Sequence, residues 1–251
     1  EIHYTDSGYV PGSCNYTTLV IYHGSAFTSG TFHKLLPLGA KDGVRVVILN
    51  RRDYAGSSRY TDAELEDLSA GKQVFMERIA VDVANFLIWF AEEFKVPAIS
   101  ADGRTGGFAL MGWSMGNATP CALFAYPKAV TKERYAKLEL YVRQLILYDP
   151  PHLTFGYPQP PEGYNSLTDP AFASPAEVFD NFQYWVSGYY NHVGLPTRKV
   201  LELDFTERGA RPSVDNMTPT EYEKNFDGAA AARTEFPMFF SMQPVLNEMG
   251  Q

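Results

Sequence analysis

Apolar residues in the first 150 positions gather into short runs within the segments 17–22, 44–50, 108–111 and 143–149, each followed within two residues by glycine, proline or charge. Runs of this kind, rich in Val, Ile and Leu without polar alternation, predict strands covered on both faces, as in a parallel sheet. Residues 1–5 alternate instead, which predicts a further strand before the turns at Asp6-Ser7-Gly8 and Pro11-Gly12-Ser13. Between 74 and 94, Ile79, Val83, Phe86, Leu87 and Phe90 recur at spacings of three and four, the pattern of a long amphipathic helix lying against that sheet. Shorter helices are expected over 31–38 and 131–141. Strands alternating with helices predict an α/β fold with a mostly parallel sheet flanked by helices. Beyond residue 150 the pattern changes, and prolines and aromatics crowd together from Phe155 and Tyr157 through Tyr164, Phe172 and Phe182 to Trp185 and Tyr190. Helical spacing is legible over 175–190, 219–226 and 237–249, with turns at Gly188, Gly194, Gly209 and Gly228, and no buried strand is legible in 206–251.

The stretch that organises the chain is Phe108-Ala109-Leu110-Met111-Gly112-Trp113-Ser114-Met115-Gly116-Asn117. Four apolar residues run into Gly-x-Ser-x-Gly, and Ala118, Cys121, Ala122, Leu123 and Ala125 continue with a small-residue helical pattern. A strand must turn sharply into a helix here, with Gly112 and Gly116 where a Cβ would collide and Ser114 in a strained conformation. Such an elbow lifts a serine hydroxyl above the sheet and points the free N–H groups of a helix start at a developing oxyanion.

On these residues the chain resembles the α/β-hydrolase superfamily. The strand at 18–22 ends in His23-Gly24-Ser25-Ala26, where that family places its oxyanion loop, and 46–58 looks like the next family strand and its turn. Asp149-Pro150-Pro151-His152 is similar to a group of fungal hydrolases. The likeness covers about residues 1–150. It implies an α/β-hydrolase fold with a helical lid after the sixth strand, residues 1–149 forming the core and 150–251 the lid. It also implies Ser114 as nucleophile and the N–H groups of Met115 and Ser25 as the oxyanion hole. Asp149, at the carboxyl end of its strand, is a candidate acid, the alternative being a structural role in the Pro150-Pro151 turn. Gly24, Ala26, Trp113, His152, Phe155 and Trp185 are candidate substrate contacts. The aromatics after residue 150 line an apolar pocket or form the lid's own core. His23 precedes the oxyanion loop and reads as architectural.

The family order is serine, acid, then a histidine after the last strand. Only His152 and His192 follow Ser114, and neither lies in that setting. Glu1 falls inside a strand and Gln251 close to a helical stretch, so the expectation is a fragment of a longer hydrolase. Two others stand against it: a shortened relative that has lost hydrolysis, and His152 as an improvised base.

Composition narrows the partners. The net charge is −8 without a basic run, which argues against nucleic acid or an anionic membrane. Absence of an 18-residue apolar segment or a basic start with an apolar core predicts no membrane span and no visible signal peptide, hence a cytoplasmic expectation. No metal-ligand spacing or dinucleotide fingerprint is present, and no cofactor is expected. The Gly-rich loop 102–107 precedes a strand rather than a helix and reads as a connection, not a phosphate cradle. Arg51, Arg52 and Asp53 read as a network of paired charges, and Cys14 and Cys121 as buried or half-buried free thiols. Asn15, Asn117 and Asn216 each head a glycosylation pattern, the second on the helix under the elbow and hence accidental. The leading expectation is a serine hydrolase acting on a small carboxylic ester, thioester or lactone. A binding protein without hydrolysis is the alternative, and lyase, acyltransferase or cofactor-free oxygenation chemistry on the same fold is a third. An aspartate-nucleophile relative is disfavoured by the serine in the elbow.

Overall fold

The computed structural model describes residues 1–192, 197–205 and 208–251, so the expected turn at Gly194 lies outside it. Two compact units are present: residues 1–158 with 225–251, and residues 159–224.

The first unit is built on a five-stranded sheet in the order β1-β3-β2-β4-β5. β1 (Tyr4–Asp6) runs antiparallel to β3 (Val44–Leu49). β2 (Thr17–Tyr22) lies parallel between β3 and β4 (Phe108–Trp113), and β5 (Val142–Tyr148) continues parallel from β4. The apolar runs thus became the parallel strands, with β2, β3 and β4 largely buried, whereas β5 at the sheet edge is not covered on both faces and leaves Leu147 and Tyr148 exposed. On one face α2 (Val74–Glu93) packs its Phe75, Ile79, Val83, Leu87 and Phe90 stripe onto Val20, Val47, Leu49, Phe108 and Leu110. The opposite face buries Ile21, Val46 and Ile48 beneath Phe32, Leu35 and Leu36. The helix expected over 31–38 is a 3-10 turn, Ser29–Leu35, on that face. Gly30, β-branched Thr31 and Pro37 all work against a longer α-helix there. α1 (Asp62–Ser69) starts with a reciprocal Thr61–Glu64 capping box, which the sequence reading missed.

β3 also buries a charge. Arg45 is fully enclosed and ion-paired to Asp6, with its guanidinium 4.7–4.9 Å from the ring centres of Tyr9, Phe90 and Phe94. A cation out of water needs a carboxylate and π faces in place of hydration, and those rings lock the amino-terminal strand to α2.

α4 (Lys132–Glu139) precedes β5, the fifth strand of this sheet. The unit at 159–224 follows, with its own elements: α5 (Pro175–Val186), opened by a Ser174–Glu177 capping box; a two-stranded ladder of β6 (Tyr189–Tyr190) and β7 (Arg208–Ala210); and α6 (Pro219–Asn225). The chain then re-enters the first unit. Residues 228–241 form one helical run, α7 (Gly228–Ala230), a π turn (Ala231–Glu235) and α8 (Phe236–Ser241), followed by α9 (Gln243–Met249). The helix expected over 237–249 is therefore interrupted at Met242, because Pro244 cannot donate a helical hydrogen bond. Pro237 acts in the same way on the preceding turn: it lacks the N–H that would close onto the Arg233 carbonyl, so the helix widens there. No described helix is long and apolar enough to cross a membrane.

Phe90 is fully buried and packs against Phe86 and Phe94 in tilted pairs and Phe108 edge-on, beside the Arg45 guanidinium. Phe90→Ala should destabilise the protein by about 3–5 kcal/mol in urea denaturation, and a loss under about 1 kcal/mol would show that this helix–sheet seam is not the core.

Candidate active site

Ser114 sits where the last residue of β4 meets a 3-10 turn, Ser114–Asn117, that runs directly into α3 (Ala118–Ala125). Its φ is +51°, a left-handed conformation that costs a residue with a Cβ roughly 1–2 kcal/mol and persists only where the surroundings enforce it. They do so from two sides. A Cβ on Gly112 would run into the Asn117 backbone, and one on Gly116 into the carbonyl oxygens of Tyr22 and His23. Only glycine allows the elbow to press this closely against β2. Asn117, fully buried, closes the turn by donating its amide to the Ser114 carbonyl (2.7 Å) and to the Tyr148 carbonyl (3.2 Å). With that amide consumed, the glycosylation pattern at Asn117 is accidental, as expected.

The loop after β2 lies alongside. A Cβ at Gly24 would stand 3.2 Å from the Ser114 Cβ and 3.2 Å from the Trp113 ring, so this backbone passes next to the serine. Trp113 packs on Phe27 and Phe32, with ring centres 4.9 and 5.6 Å apart. Ala26 is fully buried at φ +64° and donates its N–H to the Tyr54 hydroxyl (2.9 Å). The Ser25 N–H makes no hydrogen bond among the described residues. The Met115 N–H falls in the first helical turn, where no intrahelical acceptor exists. The Ser114 hydroxyl is likewise unbonded and half-buried.

His23 is fully buried and occupied on both nitrogens. Nε2 accepts the Arg51 N–H (3.1 Å), so Nδ1 carries the proton and donates to the Gly24 carbonyl (2.9 Å). Burial, then the neighbouring Arg51 charge, holds its pKa well below the usual imidazole range. It is a neutral peg for the loop and cannot serve as a base, in keeping with the architectural reading.

The other candidates are dispersed. Asp149 stands at the end of β5 with φ +46°, exposed, without a hydrogen bond or ion pair among the described residues. The alternative role, securing the Pro150-Pro151 turn, therefore has no side-chain bond behind it among the described residues. His152 opens a 3-10 turn, His152–Phe155; its ring has no hydrogen-bond partner among the described residues, and burial lowers its pKa. Phe155 faces a surface groove with Cys121, Phe124, Leu147 and Met249 rather than the elbow. Trp185 belongs to the 159–224 unit, where it packs with Tyr164, Phe182 and Phe205 at ring-centre distances of 6.2–6.4 Å. That is the unit's own core. His192, in the same unit, accepts the Asp204 N–H. No described histidine is hydrogen-bonded to Ser114 or Asp149.

The charged turn after β3 is a network, though its partners are remote. Arg51 pairs with Glu235 (2.8 Å), Arg52 with Glu64 and Asp82, and Arg233 with Asp53 (2.6 Å). Glu235 and its bond to Ser25 were not legible in the sequence; a glutamate after an alanine run carries no signal of the partner it will meet. Cys14 is exposed, contrary to expectation, because it sits in the open turn before β2. Cys121 is half-buried, and burial pushes its thiol up to about 11.

Three comparisons bear on this arrangement. The profile of the Alpha/beta hydrolase family matches residues 19–246. Among solved structures, an aryl-esterase candidate from Burkholderia cenocepacia aligns over 96% of this chain and 67% of its own, with 14% identity and a TM-score of 0.51. A hydrolytic-enzyme candidate from Pseudomonas aeruginosa PAO1 aligns over 95% of this chain with 19% identity and a TM-score of 0.45. An epoxide hydrolase from hot-environment metagenomes aligns over 99% with 16% identity and a TM-score of 0.44. The chain spans 62% and 65% of the length of these last two. No curated protein sequence matches it.

The state of His23 has a measurable consequence. Its folded pKa lies below its unfolded value of about 6.5, so the unfolded chain takes up the proton first as pH falls. Stability is therefore complete above about pH 7 and declines through the unfolded pKa, by about 1 kcal/mol between pH 7 and 5.5, with His152 acting in the same direction. Urea denaturation at both pH values checks this, and an unchanged midpoint would contradict the neutral, enclosed imidazole.

Proposed function

The chain belongs to the Alpha/beta hydrolase family, and on that footing we propose that it is a serine hydrolase cleaving a small carboxylic ester, thioester or lactone through an acyl-enzyme on Ser114. The observation that carries the reading is a serine forced into a left-handed elbow with its hydroxyl unbonded and the Gly24 backbone alongside; the N–H groups of Met115 and Ser25, which have no acceptor among the described residues, are the proposed oxyanion donors. In the reaction, a general base takes the Ser114 proton as Oγ attacks the substrate carbonyl. The carbonyl π electrons move onto oxygen, and the two N–H groups hold that oxyanion. Collapse expels the leaving alcohol or thiol, which receives the proton, and water repeats the sequence to release the acid. Asp149, free of other bonds at the carboxyl end of β5, is the proposed orienter of the base. Gly24, Ala26 and Trp113, next to the serine, are the proposed substrate contacts.

One observation favours a second reading, a binding protein of the same fold: no described histidine is hydrogen-bonded to Ser114, and an unactivated serine does not acylate.

Incubation with a fluorophosphonate followed by intact-mass and peptide analysis separates the two. The hydrolase reading expects one adduct, on Ser114, and its loss in Ser114→Ala with the melting temperature within a few degrees of wild type. Folded protein that takes no adduct, yet is stabilised by small apolar esters, would establish the binding reading instead.

A further inference from the structure

The loop 23–26 has no ladder or helix to hold it, yet the proposed chemistry needs one of its N–H groups aimed at the serine. Each of its residues is fixed from outside. Arg51 holds the Gly24 carbonyl through Nη2 (3.2 Å), Tyr54 takes the Ala26 N–H, and the Ala26 carbonyl accepts the Asp227 N–H (2.9 Å). Among the described residues Ser25 has a single bond, from its hydroxyl to Glu235 Oε2 (3.0 Å). The other oxygen, Oε1, is held by Arg51 Nη1 at 2.8 Å. Both charged groups are out of water, Arg51 at 8% and Glu235 at 3% exposure.

We infer that Glu235 is a positioning residue for the oxyanion hole: through the Ser25 hydroxyl it orients the Ser25 N–H toward Ser114. The inference rests on the acyl-transfer reading. An N–H that is to receive a transient oxyanion must stay unbonded, so the peptide that carries it cannot be anchored through that N–H. Anchoring the side chain of the same residue solves the problem, and a carboxylate acceptor gives a shorter and stronger bond to a hydroxyl than a neutral one. A bare carboxylate near an oxyanion would oppose the reaction, and Arg51 on the second oxygen cancels that charge. The pair is expensive to bury compared with apolar side chains of the same volume, so a role in packing alone does not account for it. The π turn carries the carboxylate: Ala231–Glu235 widens just before Pro237, and its last residue, Glu235, sends its side chain to the Ser25 hydroxyl.

Two variants test this, Ser25→Ala, which leaves the ion pair intact, and Glu235→Gln, each checked for folding by its melting curve. The first readout needs no activity: hydrogen exchange of the backbone at 23–27 should speed up by about tenfold or more in both, with the β4–β5 amides unchanged. The second is inactivation by the fluorophosphonate, separated into its saturation constant and maximal rate. The maximal rate should fall about 10-fold to 100-fold in each with the saturation constant unchanged, and the double variant should fall no further than the slower single. Unaltered exchange at 23–27 in folded Ser25→Ala, or single losses that multiply in the double variant, would overturn the inference. Wild-type protein that takes no label while the variants show faster exchange leaves the brace standing and removes the hydrolase reading.

Discussion

The register between β2 and β4 is the constraint on which the site depends. Tyr22 lies opposite Gly112, so the two strands run out together and their continuations must diverge side by side, one into His23-Gly24-Ser25-Ala26 and the other into Ser114-Met115-Gly116-Asn117. A slip of one residue would exchange the faces of every side chain on the strand and leave serine and loop out of reach of one another. The two elbow glycines then let backbone meet backbone with nothing between. Strain at Ser114 is held by this contact and by the Asn117 amide, while the free energy that holds them comes from the α2–sheet core below.

Above the sheet the logic is polar. The turns after β2 and β3 lack regular hydrogen bonding, and their backbone groups are satisfied by side chains: Tyr54 for Ala26, Asn50 for Ser29, His23 for Arg51. Every one of these donors and acceptors is buried, so the arrangement has few alternatives, since each lost partner would strand another group away from water. The charged pair Arg51–Glu235 stands at the centre of this layer and ties a segment from near the end of the sequence to a loop near its beginning.

Legibility followed the range of the interactions. The elbow could be read because its glycines, serine and flanking apolar run are contiguous, and the steric demand is local. The parallel strands and α2 were equally legible, since two-sided burial and a 3.6-residue stripe are written in neighbouring residues. Glu235 was not, because its meaning arises from Ser25, 210 positions away. The carboxy-terminal helix is interrupted for a local reason, Pro244, and widened just before that by Pro237. Aromatic crowding beyond residue 150 gave composition without placement: Trp185 packs among Tyr164, Phe182 and Phe205, while Phe155 faces a groove of the other unit. The acid and base roles stayed open for a related reason, since Asp149 and His152 are neighbours in sequence but, among the described residues, neither is hydrogen-bonded to Ser114 or to the other.

The π turn at Ala231–Glu235 gives this helix a phase. A π turn holds one residue more than the α-helix around it, and each residue of an α-helix advances the face by about 100°. Loss of one residue between 231 and 234 would let the helix relax to regular winding with its two ends nearly in phase, whereas the same loss from a regular turn would rotate one end against the other by about 100° and carry Glu235 away from Ser25. The helix is therefore sensitive to length as well as to identity. Among otherwise similar chains, an insertion or deletion in the regular turns beside these positions would part Glu235 from Ser25 although every residue of the 23–26 loop is retained.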